Sequence, residues 1–168
     1  MSDARCYLAG KTYFLTRQTA CRKLRLAPTE VITNLILYAL AVYAKRFGIQ
    51  VHGLCAMSSH IHVVVTDTLG VLPRFLHCFH RAVAVGAKQH IGWSGSLWNS
   101  DHTSVVDLVT REAVIEEIAY TLANPVAAGL VRHAGEWPGA KSSVDDIGLG
   151  QLRGTRPNVF FRSKRSNW

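Results

Sequence analysis

Runs of alternating and helically spaced apolar residues divide the chain into seven predicted elements. Residues 11–19 (KTYFLTRQT) mix aromatic and β-branched side chains and read as a strand, followed by a basic loop at 21–26 (CRKLRL). Pro28 suits the first turn of a helix that continues to Phe47 and stops at Gly48, with Val31, Leu35, Tyr38 and Val42 as its core-facing stripe. Residues 49–57 alternate, with Ile49, Val51, Cys55 and Met57 on one face; Ser58-Ser59 then separates them from 60–66 (HIHVVVT), so the pair reads as a hairpin. A second helix is expected over 71–91, with Pro73 in its first turn and Leu72, Phe75, Phe79 and Val83 inward. Residues 97–108 read as a loop and a short strand, and Thr110 caps a third helix that ends at Asn124-Pro125.

This order is strand, helix, strand, strand, helix, strand, helix. Its first six elements match an α+β, ferredoxin-like β-α-β-β-α-β core, an antiparallel sheet with helices on one face. Residues 1–140 form the expected domain. Residues 141–168 are glycine-containing and basic, with Arg153, Arg156, Arg162, Lys164 and Arg165 and no acid after Asp146. They read as an extension, disordered in isolation.

Composition narrows the class. The 168 residues are 48% hydrophobic, which excludes a disordered chain and suffices for one packed domain. No apolar run reaches the ~18 residues of a membrane span. The first five residues carry no signal-peptide core, and Cys6, Cys21, Cys55 and Cys78 make no C-x-x-C pair, so a cytoplasmic location is expected. Nineteen Lys and Arg against eleven Asp and Glu give a net charge of +8. That balance fits an acidic polymer as partner, most simply nucleic acid, although charge serving only solubility fits it too.

His60-Ile61-His62 is the sharpest local signal. On a strand, side chains two apart share a face and originate ~6.5 Å apart, within reach of one divalent ion. Two polar residues on the wet face of a sheet read the same way. In the third helix Ile115, Ile118, Ala119 and Leu122 form the apolar stripe. At ~100° per residue Tyr120 lies roughly 150° from its centre, with Asn124 one turn further on the same side. A tyrosine so placed meets solvent or a ligand, and Asn before Pro is also a common helix end.

Taken with the run Tyr120-x-x-x-Asn124-Pro125-Val126-x-Ala128-Gly129-Leu130-Val131, the histidine pair resembles the single-tyrosine HUH transposases. Within them the chain is most similar to the REP-associated tyrosine transposases, relatives of the insertion-sequence-200-like enzymes. Leu97-Trp98-Asn99, Trp137-Pro138 and Ser142-Ser143 add to the resemblance, which covers about residues 13–143. It implies a metal-dependent nuclease and strand transferase acting on single-stranded DNA beside palindromic hairpins, as monomer or homodimer. His60, His62 and Asn124 would hold Mg²⁺ or Mn²⁺, and Tyr120 would form a 5′-phosphotyrosine link. A phenol needs such help, because its free pKa is about 10. The family usually carries Pro-Asn where this chain has Ser58-Ser59.

Other residues support less. Arg17, Arg22, Lys23 and Arg25 at the exit of the first strand are candidate phosphate contacts, as is His102 near the short strand. His77 and His80 lie at metal-capable i, i+3 spacing but read as a helix edge, and Trp93 and Trp98 as packing. Histidine-triad hydrolases need a third alternating His, and that position is Val64; two-histidine phosphoesterases need a second H-x-[ST] motif that pairs with the first, and His102-Thr103-Ser104 is a poor partner. The alternative to the transposase is a catalytically inactive, hairpin DNA- or RNA-binding ferredoxin-like domain.

Overall fold

A computed structural model of the chain describes residues 7–146 and 151–157. Strands β1 (Lys11–Gln18), β2 (Ile49–Ala56), β3 (His60–Asp67) and β4 (Ser104–Asp107) form one antiparallel sheet in the order β2-β3-β1-β4. Helices α1 (Glu30–Phe47) and α2 (Leu72–Ile91) connect them as a ferredoxin-like core requires, and α3 (Arg111–Ala127) follows. Among the described residues, no helix is long and apolar enough to cross a membrane.

The core lies between one sheet face and the α1–α2 layer. Tyr13 and Leu15 of β1, with Ile61, Val63 and Val65 of β3, point into it and meet Ile32, Leu35, Ile36, Ala39 and Leu40 of α1. In α2, Leu72, Phe75, Phe79 and Val83 are all buried, as their spacing predicts. The stripe predicted for α1 is shifted: Leu35 belongs to the core, but Val42 is 39% exposed. That helix is apolar on nearly every side, so periodicity does not select its inner face.

Two further boundaries differ from expectation for identifiable reasons. A bulge between Val51 and Gly53 changes the parity of β2. Ile49, Leu54 and Ala56 therefore face the main core, while Cys55 and Met57 pack with Trp137 in a separate cluster. In α3 the helix passes through Pro125, where a proline in the last turn forfeits one backbone bond. It ends instead at Ala127, and Gly129, with a φ of +68°, allows Leu130 N to donate to Pro125 O, closing a left-handed cap.

The predicted extension is in part seated on the domain. Residues 140–142 line the free edge of β2, with Ala56 N donating to Ala140 O and Ser142 N to Leu54 O. Asn34 of α1 exchanges two hydrogen bonds with the backbone of Thr155, 2.6 and 2.8 Å long. Gly154 packs so closely on Tyr38 that a Cβ there would clash with backbone. Arg162, Lys164 and Arg165 lie outside the described residues.

His80 is packed between Phe79 and Trp98 and near Thr103 Oγ1, 3.4 Å from its Nδ1. Burial first, then the Arg17 charge, lowers its pKa to about 3. An unfolded histidine titrates near 6.5, so between these values the unfolded chain binds a proton that the folded chain refuses. Stability is expected to fall as pH drops from about 6.5 toward 3, by up to ~1.4 kcal/mol per pH unit from this group. Urea unfolding of the wild type and His80→Gln at pH 7 and 5 checks this; equal acid losses in both proteins would exclude His80 as the cause.

Candidate active site

The candidate histidines lie on the opposite sheet face. In the β1–β3 register Thr16 stands beside His62 and Gln18 beside His60, all pointing away from the main core. Helix α3 packs over this face against β2 and β3, on the other side of the sheet from α1 and α2. The row that meets the sheet includes fully buried Thr121, buried Asn124 and buried Pro125. The apolar stripe read from the sequence is therefore a flank of the helix, about 120° round from that row at ~100° per residue. Ile115 is 56% exposed, and Ile118, Leu122 and Val126 line an apolar groove with Ala134 and Val144.

Tyr120 occupies the other flank and is 50% exposed. Its ring meets His62 and Phe14 edge-on, with centroids 5.6 and 5.9 Å away. Phe14 stacks on His62 at 5.3 Å, and the His60 and His62 rings stand 4.7 Å apart. Together Thr16, Gln18, Arg22, Ser59, His60, His62 and Tyr120 line a polar cavity of about 260 Å³. Residues from β1, the β2–β3 turn, β3 and α3 thus converge at one end of the sheet.

Each imidazole is held through the same nitrogen. His62 Nδ1 shares a hydrogen bond of 2.9 Å with Thr16 Oγ1, and His60 Nδ1 one of 3.0 Å with Ser59 Oγ. With Nδ1–H donating, the Nε2 lone pair of His62 is left as a ligand, while His60 also bonds Asn124. Burial lowers the pKa of both rings, that of His62 to about 4 with help from the His60 charge. For His60 a hydrogen bond with Asn124 opposes this, and the Arg22 charge adds to it. Both rings are consequently neutral donors at neutral pH.

Two imidazoles and the Asn124 amide oxygen make a three-donor set that suits a divalent ion and leaves positions open for substrate oxygens. Among the described residues, no three or more His, Cys, Asp or Glu side chains gather as a metal cluster, so an ion here would depend on that amide and on oxygens from outside the chain.

The structure separates the remaining candidates. Arg17 directs its guanidinium to the carbonyls of Asp101 and Asn99 and lies over the Trp98 ring. Arg25 donates to the carbonyls of Ala20 and Ser96 and covers Trp93 at 4.2 Å. Lys23 and His102 are exposed and do not line the cavity. Arg22 does line it. Thr16, Gln18 and Ser59 were not singled out from the sequence as site residues; the signal for the first two is that residues 14, 16 and 18 alternate toward the face of His60 and His62 once β1 and β3 are paired.

No family model matches the chain, and no curated protein is similar to it. Among solved structures, the fold is shared with a REP-associated tyrosine transposase bound to a REP hairpin. The two superpose with a TM-score of 0.71 over 96% of this chain and 98% of that one, at 17% identity. A second structure, of a protein from Deinococcus radiodurans R1, aligns with a TM-score of 0.49 over 71% of this chain and 95% of that one, at 21% identity. Among the described residues the architecture is therefore α+β, a four-stranded antiparallel sheet with three α-helices, the same fold as that hairpin-bound protein.

Proposed function

We propose that this protein cuts and rejoins single-stranded DNA beside hairpins, as a single-tyrosine transposase does, through a covalent link to Tyr120. The observation that carries this reading is the half-exposed Tyr120 ring at the rim of the cavity that holds both histidines. The hairpin-bound transposase of the same fold supports hairpin DNA as the partner.

In this reading Tyr120 Oη attacks the scissile phosphorus and the bond to the 3′ oxygen breaks. The products are a 5′-phosphotyrosine and a free 3′-OH, so the phenolic proton lost is balanced by the one the 3′ oxygen gains. A phosphodiester is exchanged for a phosphodiester, and rejoining needs no ATP. His60, His62 and Asn124 would hold a divalent ion, Mg²⁺ or Mn²⁺, which when bound would polarise the phosphate and offset charge on its oxygens. The chain's own contribution is orientation: Phe14 and Thr16 fix the His62 ring, Ser59 fixes His60, and the stacked rings position the tyrosine edge.

Covalent capture tests the proposal. The protein is incubated with labelled single-stranded DNA carrying the palindromes that flank its gene, with Mg²⁺ or Mn²⁺, and then denatured. An adduct and a released strand ending in 3′-OH are expected. Tight hairpin binding without an adduct in any divalent ion would instead leave a binding domain.

The hydroxyl partners make a separate prediction. Thr16→Val keeps the β-branched shape and removes the group that orients His62, so Mn²⁺ affinity is expected to fall ~10- to 100-fold. Electron paramagnetic resonance titration of free Mn²⁺ measures this without turnover. Unchanged affinity would show that Thr16 does not orient the ligand.

A further inference from the structure

Four cations cluster where β1 ends, and the structure employs them differently. The guanidinium groups of Arg17 and Arg25 are engaged by loop carbonyls and tryptophan rings, and Lys23 lies outside the cavity. Arg22 alone of the four lines the cavity shared by His60, His62 and Tyr120. Among the described residues no carbonyl or carboxylate accepts a hydrogen bond from its side chain.

Arg22 is placed there by an unusual backbone. Cys21 (φ 55°) and Arg22 (φ 52°) are consecutive left-handed residues, and they are the two non-glycine residues with positive φ among those described. In this region an L side chain crowds the following carbonyl, so the conformation persists only where neighbours impose it. The neighbours do so here. Thr19 is fully buried, its N donates to Ser59 O at 2.8 Å, and its Oγ1 lies 2.6 Å from Lys23 O and 3.0 Å from Ser59 O. Ala20 N donates to Leu97 O, and Leu26 N to Ser58 O. The loop is thus tied on both sides of the strained pair, partly to the same turn that carries Ser59. Glycine would make this bend without crowding, yet the chain places an arginine in it.

We propose that Arg22 is a phosphate clamp: its guanidinium donates to a non-bridging oxygen of the phosphate presented to Tyr120, and the left-handed Cys21–Arg22 pair holds it aimed at that oxygen. This rests on the reading of Tyr120 as nucleophile. A guanidinium stays charged at every working pH, and its planar fork matches two phosphate oxygens at once. Directed toward the cavity by its backbone, it places a positive charge beside the oxygens on which charge grows during the reaction. Arg17 and Arg25 cannot substitute, because turning them inward would undo the loop contacts that shape the rim.

The test pairs kinetics with binding. At saturating hairpin DNA, Arg22→Ala is expected to slow adduct formation ~100-fold, Arg22→Lys less, while Mn²⁺ affinity stays within about twofold. Cys21→Gly, which relaxes the strained turn, is expected to slow adduct formation several-fold with no loss of thermal stability. Lys45→Ala, on the far side of the sheet, controls for the loss of one positive charge. An Arg22→Ala rate within twofold of wild type would overturn the clamp.

The binding arm does not depend on cutting. In the Tyr120→Phe protein, neutral methylphosphonates replace the phosphates of the DNA one at a time. One position is expected to weaken binding ~10-fold when Arg22 is present and not when it is Ala. If no position behaves this way, the clamp is wrong even where an adduct forms. If the wild type forms no adduct but one position does, the covalent reading fails and Arg22 remains a phosphate contact.

Discussion

Tyr120→Phe is expected to abolish the covalent adduct completely while leaving the protein folded and bound to hairpin DNA. The loss is absolute because the bond in question is made to the deleted oxygen, and phenylalanine offers no replacement. The ring itself survives the change, so its edge contacts with His62 and Phe14 persist. On a residue that is 50% exposed, removing one hydroxyl should alter stability by no more than ~0.5 kcal/mol. Denaturing gels of labelled DNA, thermal melting and a hairpin-binding titration measure the three quantities. An adduct that persists in Tyr120→Phe would locate the nucleophile elsewhere and remove the central claim. Loss of folding together with the adduct would instead mean that the hydroxyl is structural.

His62→Ala is expected to have the second largest effect, lowering Mn²⁺ affinity and adduct formation by at least ~100-fold. It also destabilises the chain without metal. The ring is 5% exposed, stacks on Phe14 and satisfies the Thr16 hydroxyl, so its deletion leaves a void and an unpaired group worth ~1–3 kcal/mol. The two losses are separable. Metal at 100 times its Kd should stabilise the wild type by about 2.7 kcal/mol and the variant by almost nothing. A chelator should remove that increment and the adduct without unfolding the wild type, because the main core lies on the other face of the sheet.

The pH dependence carries the same logic. Burial, aided by the His60 charge, lowers the His62 pKa to about 4, so the lone pair stays available well below the usual histidine range. Mn²⁺ affinity is therefore expected to hold from pH 8 to about 6 and to fall on further acidification. A midpoint at the ordinary histidine value near 6.5 would show that the pair is more open to water than its packing implies.

Local spacing made the grouping of the candidate side chains legible. Two histidines two apart on a strand must share a face, and a tyrosine four residues before an asparagine must share a side of a helix. The burial of Leu72, Phe75, Phe79 and Val83 in α2 follows in the same way, because that helix has one clear apolar side. Where the local signal was ambiguous or locally overridden, it misled. The nearly all-apolar α1 hid its inner face, the Val51/Gly53 bulge reversed the parity of β2, and the left-handed cap at Gly129 carried α3 past Pro125.

The sequence by itself determined which side chains share a face within each element, since strand and helix periodicity are properties of the backbone alone. Only the tertiary structure decided what those faces meet. The β1–β3 register brings Thr16 to His62, 46 residues away in the chain, and the β2–β3 turn places Ser59 against His60. Packing of α3 across the sheet face opposite α1 and α2 brings Tyr120 to the histidines and leaves its apolar stripe on a flank, with Leu122 buried and Ile115 exposed. Buried Thr19 is bonded to Ser59 and Lys23 beside the left-handed Cys21–Arg22 turn, and Arg22 lines the cavity. Each of these contacts depends on how whole elements pack, and the free energy that selects the packing is distributed over the sheet and its helices rather than written in any one segment.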